Sequence, residues 1–326
     1  MIKAAVVILN YNGASLLQKF LPSVIANTPS WCSVIVADNA STDNSLSLLQ
    51  QHFPDVQCIE MQQNTGFAGG YNNALHQIDA EYFILLNSDI EVTPQWVEPI
   101  IEFMIQHADV AACQPKILAY NQKDFFEHAG ACGGYIDYLG FPFCRGRIFN
   151  SLEKDENQYP DNKEIFWATG AAMFIRSNVF KATGGFDADF FAHMEEIDLC
   201  WRMKHCGYKL YCIPASKVYH VGGGTLHKSN PKKTYLNFRN NLMMLLKNLP
   251  SGSRFSVFVK RLFLDKLAFI KFFVSGNFRD AWAVYRAYFY VMLYFRIIIS
   301  TPVFLVYLKK VLFQNIFSEV KRSLQN

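Results

Sequence analysis

Residues 83–91 read FILLNSDIE, an unbroken apolar run of strand-forming residues that stops abruptly at Asn87, Ser88 and Asp89. A buried strand that delivers a carboxylate at its C-terminal edge sets it in the crevice where open α/β sheets bind ligands. A carboxylate in that position can hold a hard divalent cation. The stretch points to an α/β fold and to metal-assisted chemistry on a phosphate-bearing substrate.

The flanking sequence repeats the theme. Ala4–Leu9 (AAVVIL) and Ser33–Ala37 (SVIVA) are β-branched and nearly continuous in hydrophobicity, as strands covered on both faces should be. Between them, residues 15–27 carry helical spacing at Leu16, Phe20 and Val24, with Ser15 placed to cap the helix. Asn44–Phe53 predicts a second helix, Val56–Glu60 a third strand, Tyr71–Ile78 a third helix and Tyr82–Asn87 the strand of the opening stretch. This β-α-β-α-β order implies a mostly parallel sheet flanked by helices, with right-handed crossovers. The strand ends are polar: Asn10, Tyr11, Asn12 and Gly13 after the first, and residues 38–43 (DNASTD) after the second. A glycine-rich segment, NTGFAGGYNN at 64–73, leads into the third helix, where backbone can approach a nucleotide closely. It matches neither the dinucleotide nor the phosphate-loop spacing, so by itself it is no motif.

Composition sets the outer limits. The 326 residues suffice for one large α/β domain with an appendage, and 51% are apolar. A net charge of +4 is too mild to argue for a nucleic-acid partner, so none is expected. Eight cysteines without a Cys-x-x-Cys pair read as buried thiols of a reducing cytoplasm. The apolar run Ala4–Leu9 is too short for a signal-peptide core or a membrane span and reads as a first strand.

After Pro250 the character changes. SGSRF reads as a linker, and residues 255–317 are dense in Phe, Tyr, Leu and Val with interspersed Lys260, Arg261, Lys266, Lys271, Arg279, Arg286, Arg296, Lys309 and Lys310. The pattern fits amphipathic helices lying on the anionic inner face of the cell membrane. A cap packed on the catalytic domain, or a dimer interface, is the competing reading. The best spanning window, residues 287–308, is broken by Arg296 and Pro302. The chain thus divides into residues 1–250 and an extension, 251–326.

Taken in order, VVILNYNG, VADNASTDNS, NTGFAGGYN and LLNSDIEV, then ATGAAMFIR (168–176), GGFDADFF (184–191), MEEIDLCWR (194–202) and YHVGGGT (219–225), resemble family-2 glycosyltransferases of the GT-A fold, especially the rhamnosyltransferase-like subgroup. The resemblance covers about residues 4–245. It implies inverting transfer of a sugar from a nucleoside-diphosphate donor, dTDP- or UDP-linked, to a glycan or lipid-linked acceptor in cell-surface polysaccharide synthesis. It also implies Mg²⁺ or Mn²⁺ as cofactor. Asp89 matches the last residue of the family's Asp-x-Asp metal motif, whose first position is here Asn87, and His220 matches a histidine that completes the metal sphere or touches the leaving diphosphate. Asn10, Tyr11 and Asn12 match the loop against base and ribose, and Asp38 the acceptor of a pyrimidine N–H. Asn64, Gly66, Phe67, Gly70, Asn72 and Ser88 complete the implied donor pocket, while Asp43 reads equally well as a helix cap.

Attack on the anomeric carbon needs a base for the acceptor proton. Glu196 falls where the family's Glu-Asp-x-Asp motif carries its catalytic aspartate, and Glu195 is the second candidate. Asp198 stands four residues before Arg202, the spacing of a helical ion pair. Both glutamates also fit a solvated first helical turn stabilised by the macrodipole. Lys232, Lys233 and Arg239 offer charge to the diphosphate or begin the basic surface; residues 167–172 and 185–187 are the expected acceptor side. A sugar nucleotidyltransferase would carry a basic loop after strand one, which NYNGAS lacks. The departures at Asn87 and Glu196 leave a second reading, a catalytically silent nucleotide-sugar-binding or assembly protein.

Overall fold

The computed structural model describes residues 3–127, 130–148, 151–222 and 230–300, with side chains to residue 293. Gly223, Gly224, Thr225, Lys309, Lys310, the side chain of Arg296 and the rest of the aromatic stretch past residue 300 lie outside the described residues.

The elements run β1 (Ala4–Asn10), α1 (Ala14–Asn27), β2 (Cys32–Asp38), α2 (Ser45–His52), β3 (Gln57–Glu60), α3 (Gly66–Leu75), β4 (Tyr82–Asn87), β5 (Ile90–Val92), α4 (Glu98–Gln106), β6 (Val110–Ala119) and β7 (Gln122–Phe126). Short strands follow: β8 (Gly134–Ile136), β9 (Pro142–Cys144), β10 (Arg147–Ile148), β11 (Ser151–Leu152) and β12 (Lys163–Ile165). The chain then forms β13 (Ala172–Arg176), α5 (Ser177–Ala182), α6 (Glu195–His205), β14 (Lys209–His220), α7 (Pro231–Asn248), α8 (Ser251–Val274) and α9 (Phe278–Ser300).

The central sheet has the order β14-β6-β13-β4-β1-β2-β3. Parallel pairing links β3, β2, β1 and β4, and also β6 and β14; β13 lies antiparallel between the two groups. Six of these seven strands therefore run one way, as the continuous apolar runs predict. Strand residues alternate between two cores. Val7, Phe83 and Leu85 face Tyr71, Ile197 and Met243, whereas Val6, Ile8, Ile84 and Leu86 face Leu17, Trp96 and Ile100. Strand order reverses between β1 and β4, so a crevice opens beyond their C-terminal ends, where doubly wound sheets bind ligands.

Three local expectations change. Ser15 does not cap α1, which begins at Ala14 behind Gly13 without a side-chain cap. The glycine-rich segment is not a loop ahead of a helix at Tyr71 but is α3 itself, because Asn64 Oδ1 accepts the Gly66 N–H at 2.8 Å and nucleates the first turn there. SGSRF is no linker: Pro250 sets the entry angle, its carbonyl accepts the N–H groups of Ser253 and Arg254 at 3.1 Å each, and α8 starts at once.

Candidate active site

Three loops meet at the reversal point. After β1, Asn10 is fully buried and its Nδ2 donates to Asp38 Oδ1 at 2.9 Å and to Ser41 Oγ at 3.2 Å. Asn12, held at a positive φ of 51°, accepts the Thr42 N–H on its Oδ1 at 2.7 Å, which ties the first loop to the second. Asp38 is buried, and its second oxygen accepts the Ser41 N–H at 2.8 Å. Asn10, Asn12 and Asp38 thus shape the crevice wall, with Asn10 Oδ1 left buried and without a partner. Tyr11 stands out of that wall with 44% of its surface exposed, a ring open to stacking. Asp43 binds the N–H groups of Ala14 and Ser45 and the Ser45 hydroxyl, which hold its carboxyl below the usual range against a burial that raises it.

The glycine-rich helix is closed by protein. Gly66 has φ +76°, and the N–H groups of Phe67 and Ala68 donate to the carbonyl of Phe191 at 2.7 and 3.3 Å. The first α3 amides are therefore capped by the chain itself. Gly70 is small for a different reason: a Cβ there would stand 2.9 Å from a Leu9 methyl and 3.0 Å from the Asn39 amide. Asn39, which the motif reading passed over, joins the loops by donating to Asn64 Oδ1 and to the Gly66 carbonyl. Asn72 points away from any donor, because its amide both donates to and accepts from the Phe186 backbone, at 2.7 and 3.0 Å.

Beyond β4, Asn87 and Ser88 are partly exposed and Asp89 is buried. Strand register brings His220 to Asp89, since His220 at the end of β14 pairs with Ile90 and the Val221 N–H donates to the Asp89 carbonyl. His220 Nε2 lies 3.1 Å from Asp89 Oδ1, and Nδ1 lies 3.5 Å from Glu127 Oε2. Glu127, one residue past β7, is a member of this cluster that the sequence did not announce. Burial opposes charge on the imidazole, yet the two carboxylates prevail and push it up to about 10. Burial likewise raises Asp89, and the hydrogen bond and charge of His220 bring it below the usual carboxylate range.

Asp89 and His220 offer an oxygen and a nitrogen to a divalent cation. A separation of 3.1 Å suits a charged hydrogen bond, and it also matches adjacent ligands of an octahedral ion with bonds of about 2.1 Å. His220 must lose a proton before Nε2 can ligate an ion, and with that ring protonated the Asp89–His220–Glu127 row carries one net negative charge. Its three groups lie in line through the ring, and among the described residues no three His, Cys, Asp or Glu side chains converge on one point. A divalent cation would therefore rest chiefly on Asp89, with His220 able to join it as neutral imidazole.

Glu195 and Glu196 open α6 behind three non-glycine residues in left-handed conformations, Phe191, His193 and Met194. The α7 side chains hold this bend: Asn240 donates to the carbonyls of Phe190, Ala192 and His193, and Arg239 to those of Asp189 and Phe190. Arg239 is thus committed to the scaffold and not available to a diphosphate. The glutamates are not a solvated turn, for Glu195 is buried and an Oε2 of each is buried without a partner. Burial, with the neighbouring Glu196 charge, lifts Glu195 well above the carboxylate range; burial lifts Glu196 to about 7. Asp198 is different. Arg202, Lys247 and Asn248 bind it at 2.8, 3.0 and 2.8 Å and keep it ionised against its burial.

The glutamates and the metal-side residues share one wall. Asn87 N–H donates to the Ala171 carbonyl at 2.9 Å, and a Cβ on Gly170 would stand 2.9 Å from the Phe67 ring and 3.9 Å from Glu196 Cβ. Segment 167–172 therefore carries the β4 terminus to Glu196.

A reversed, mostly parallel sheet with an acidic strand terminus at its switch point and a buried glutamate pair on the facing helix fits a transferase of the GT-A type. The chain belongs to Glycosyl transferase family 2, whose sequence profile matches residues 5–183. It is 26% identical over 233 residues to the N-acetylglucosaminyl-diphospho-decaprenol L-rhamnosyltransferase of Mycobacterium tuberculosis, covering 66% of this chain and 75% of that protein. It is 24% identical over 223 residues to rhamnosyltransferase WbbL of Escherichia coli K12, covering 66% and 82%. Among solved structures, GalNAc-T7 with UDP, GalNAc and Mn²⁺ superposes with a TM-score of 0.59 at 17% identity, over 75% of this chain and 48% of that one. Mannosyltransferase PcManGT from Pyrobaculum calidifontis, solved with GDP-Man and Mn²⁺, gives 0.52 at 14% identity, over 87% and 72%. These two likenesses establish the fold.

Proposed function

We propose that the protein transfers a deoxyhexose, with inversion, from a dTDP- or UDP-sugar to a lipid-linked glycan acceptor at the cytoplasmic membrane face. The observation that carries the reading is the pairing of Asp89–His220 at the β4 terminus with Glu196 across segment 167–172. Both relatives being rhamnosyltransferases supports the sugar, the diphospho-decaprenol acceptor of the Mycobacterium tuberculosis relative supports the acceptor class, and the eight free thiols support a reducing compartment. Residues 1–250 form the catalytic unit in this reading, and 251–326 its extension.

Tyr11 stacks on the nucleotide base, and the buried Asn10–Asp38 pair fixes the wall behind it. Asp89 and His220 would hold Mg²⁺ or Mn²⁺, which when bound neutralises charge on the departing diphosphate. Glu196 takes the proton of the acceptor hydroxyl as it attacks, its raised pKa matching a base that works near neutrality. Glu195, more strongly raised, stays neutral beside it and leaves Glu196 as the charged member. The test is a thermal-shift screen with UDP-, dTDP-, GDP- and CMP-sugars, each with and without Mn²⁺, followed by donor-consumption assays. Metal-dependent stabilisation by one donor, with turnover, supports the reading. Binding without consumption would mark a silent nucleotide-sugar-binding protein instead.

A further inference from the structure

Helix α8 is built inside out, while α9 buries an ordinary apolar row of Ala281, Val284, Ala287 and Val291. The inward row of α8 is Val257, Arg261 and Asp265, and both charged residues are 2% exposed. Arg261 donates to the Leu139 carbonyl at 3.0 Å and to Asn241 Oδ1, and its guanidinium lies 3.9 Å from the Phe141 ring centroid. Asp265 accepts from Arg261 and, at 2.6 Å, from the Tyr288 hydroxyl of α9. The opposite face of α8 is apolar and uncovered: Phe255, Phe263 and Val274 are 81%, 64% and 79% exposed. On α9, Trp282 and Phe289 are exposed as well, at 58% and 51%. An ordinary surface helix reverses this pattern, with its apolar stripe inward. So large an uncovered apolar face marks an interaction surface.

Charge identifies the occupant. Between residues 251 and 293 the sole acidic side chains are Asp265 and Asp280. Asp265 is buried in the network above, and Asp280 accepts the Thr234 hydroxyl at 2.6 Å. The exposed charges Lys260, Lys266, Lys271, Arg279 and Arg286 are all cationic. A second copy docking through the same face would set cation against cation, whereas an anionic bilayer satisfies both the rings and the charges. No helix among the described residues is long and apolar enough to cross a membrane, so the hairpin lies along the interface. The stacked and exposed Trp282 and Tyr285 suit the headgroup level.

We propose that the outward face of α8–α9 docks the protein on an anionic phospholipid surface. The inference deepens the reading of a lipid-linked acceptor, and its test is independent of transfer. The full chain is floated with vesicles of phosphatidylcholine alone and of phosphatidylcholine mixed with phosphatidylglycerol. Flotation with the mixed vesicles, weakened by salt, is expected. The triple variant Phe263→Ser, Trp282→Ser, Phe289→Ser loses at least about tenfold in partitioning, and the reversal Lys266→Glu, Lys271→Glu, Arg279→Glu loses about a hundredfold. Donor hydrolysis in solution and the circular dichroism spectrum stay unchanged in both, which separates lost docking from a lost fold or a lost active site. Equal flotation of variants and wild type, or indifference to lipid charge, overturns the proposal. So does a wild-type dimer that the triple variant converts to monomer, since the face then belongs to a second copy. Flotation of a protein that never consumes donor leaves the docking surface standing and removes the transferase reading alone.

Discussion

His220 stands between Asp89 and Glu127, its two ring nitrogens turned to different carboxylates at 3.1 and 3.5 Å. The row fixes the ring and leaves Asp89 as its forward end. Asp89→Ala is expected to lower transfer about a thousandfold without altering the far-ultraviolet spectrum, and to remove the donor-dependent Mn²⁺ signal in electron paramagnetic resonance. Near-normal turnover in that variant would take Asp89 out of the reaction.

Glu127 acts through His220. Glu127→Gln keeps the size of the side chain but withdraws the charge behind the ring. Metal affinity measured by calorimetry with the nucleoside diphosphate present is expected to fall about 10–100-fold, the usual cost of losing a carboxylate behind a ligating histidine. Unchanged affinity would make Glu127 a packing residue.

The Glu196 carboxyl holds its proton to about 7 in the fold and releases it near 4.5 in an ordinary setting. Its favourable contribution to folding is complete below pH 4.5 and is lost as pH rises through 7. Glu196→Gln should therefore match wild-type stability at pH 4 and exceed it by roughly 1–3 kcal/mol at pH 8, read from urea midpoints. Transfer runs the other way. The wild-type kcat/KM rises through about pH 7 to a plateau, and the variant is about a thousandfold lower with no such limb.

Gly66→Ala probes the cap on α3. Its φ of +76° and the 2.5 Å approach of a Cβ to the Phe191 carbonyl predict a loss of about 2 kcal/mol or more in thermal unfolding. Transfer should fall with it, because the displaced segment leads directly into Glu195.

Arg261→Leu leaves Asp265 with Tyr288 as its neutral donor inside the hairpin. A destabilisation of about 3–5 kcal/mol is expected, with recovery in the double variant Arg261→Leu, Asp265→Leu. Additive losses would show that the two residues do not act as a pair.

The sheet was legible wherever a strand is buried on both faces and therefore apolar throughout, as in β1, β2 and β4. β6 reads VAACQPKILA and is nearly as buried, yet Gln114 and Lys116 disguise it. Their partners are remote: Thr169 donates to Gln114, and Lys116 meets Asp155 at 2.9 Å. Short motifs singled out Asp89 and Glu196 because local sequence sets one just past the end of β4 and the other in the first turn of α6. Glu127 was hidden because β7 (QKDFF) has no apolar run to announce a strand terminus, and its importance arises from register with β14 across β6. Asn72 and Arg239 were misread for a related reason. Polar residues beside a motif look like ligand contacts until the tertiary fold shows which backbone groups they satisfy.

The carbonyl of Phe191 occupies the two amides at the head of α3, and Phe191 begins the bend that ends at Glu195. An anion can take up the partial positive charge of that helix only by displacing the carbonyl, and displacement rotates the backbone that leads into the glutamates. One peptide group thus closes the head of α3 and sets the approach to the glutamates, so a shift at either end of it is carried to the other.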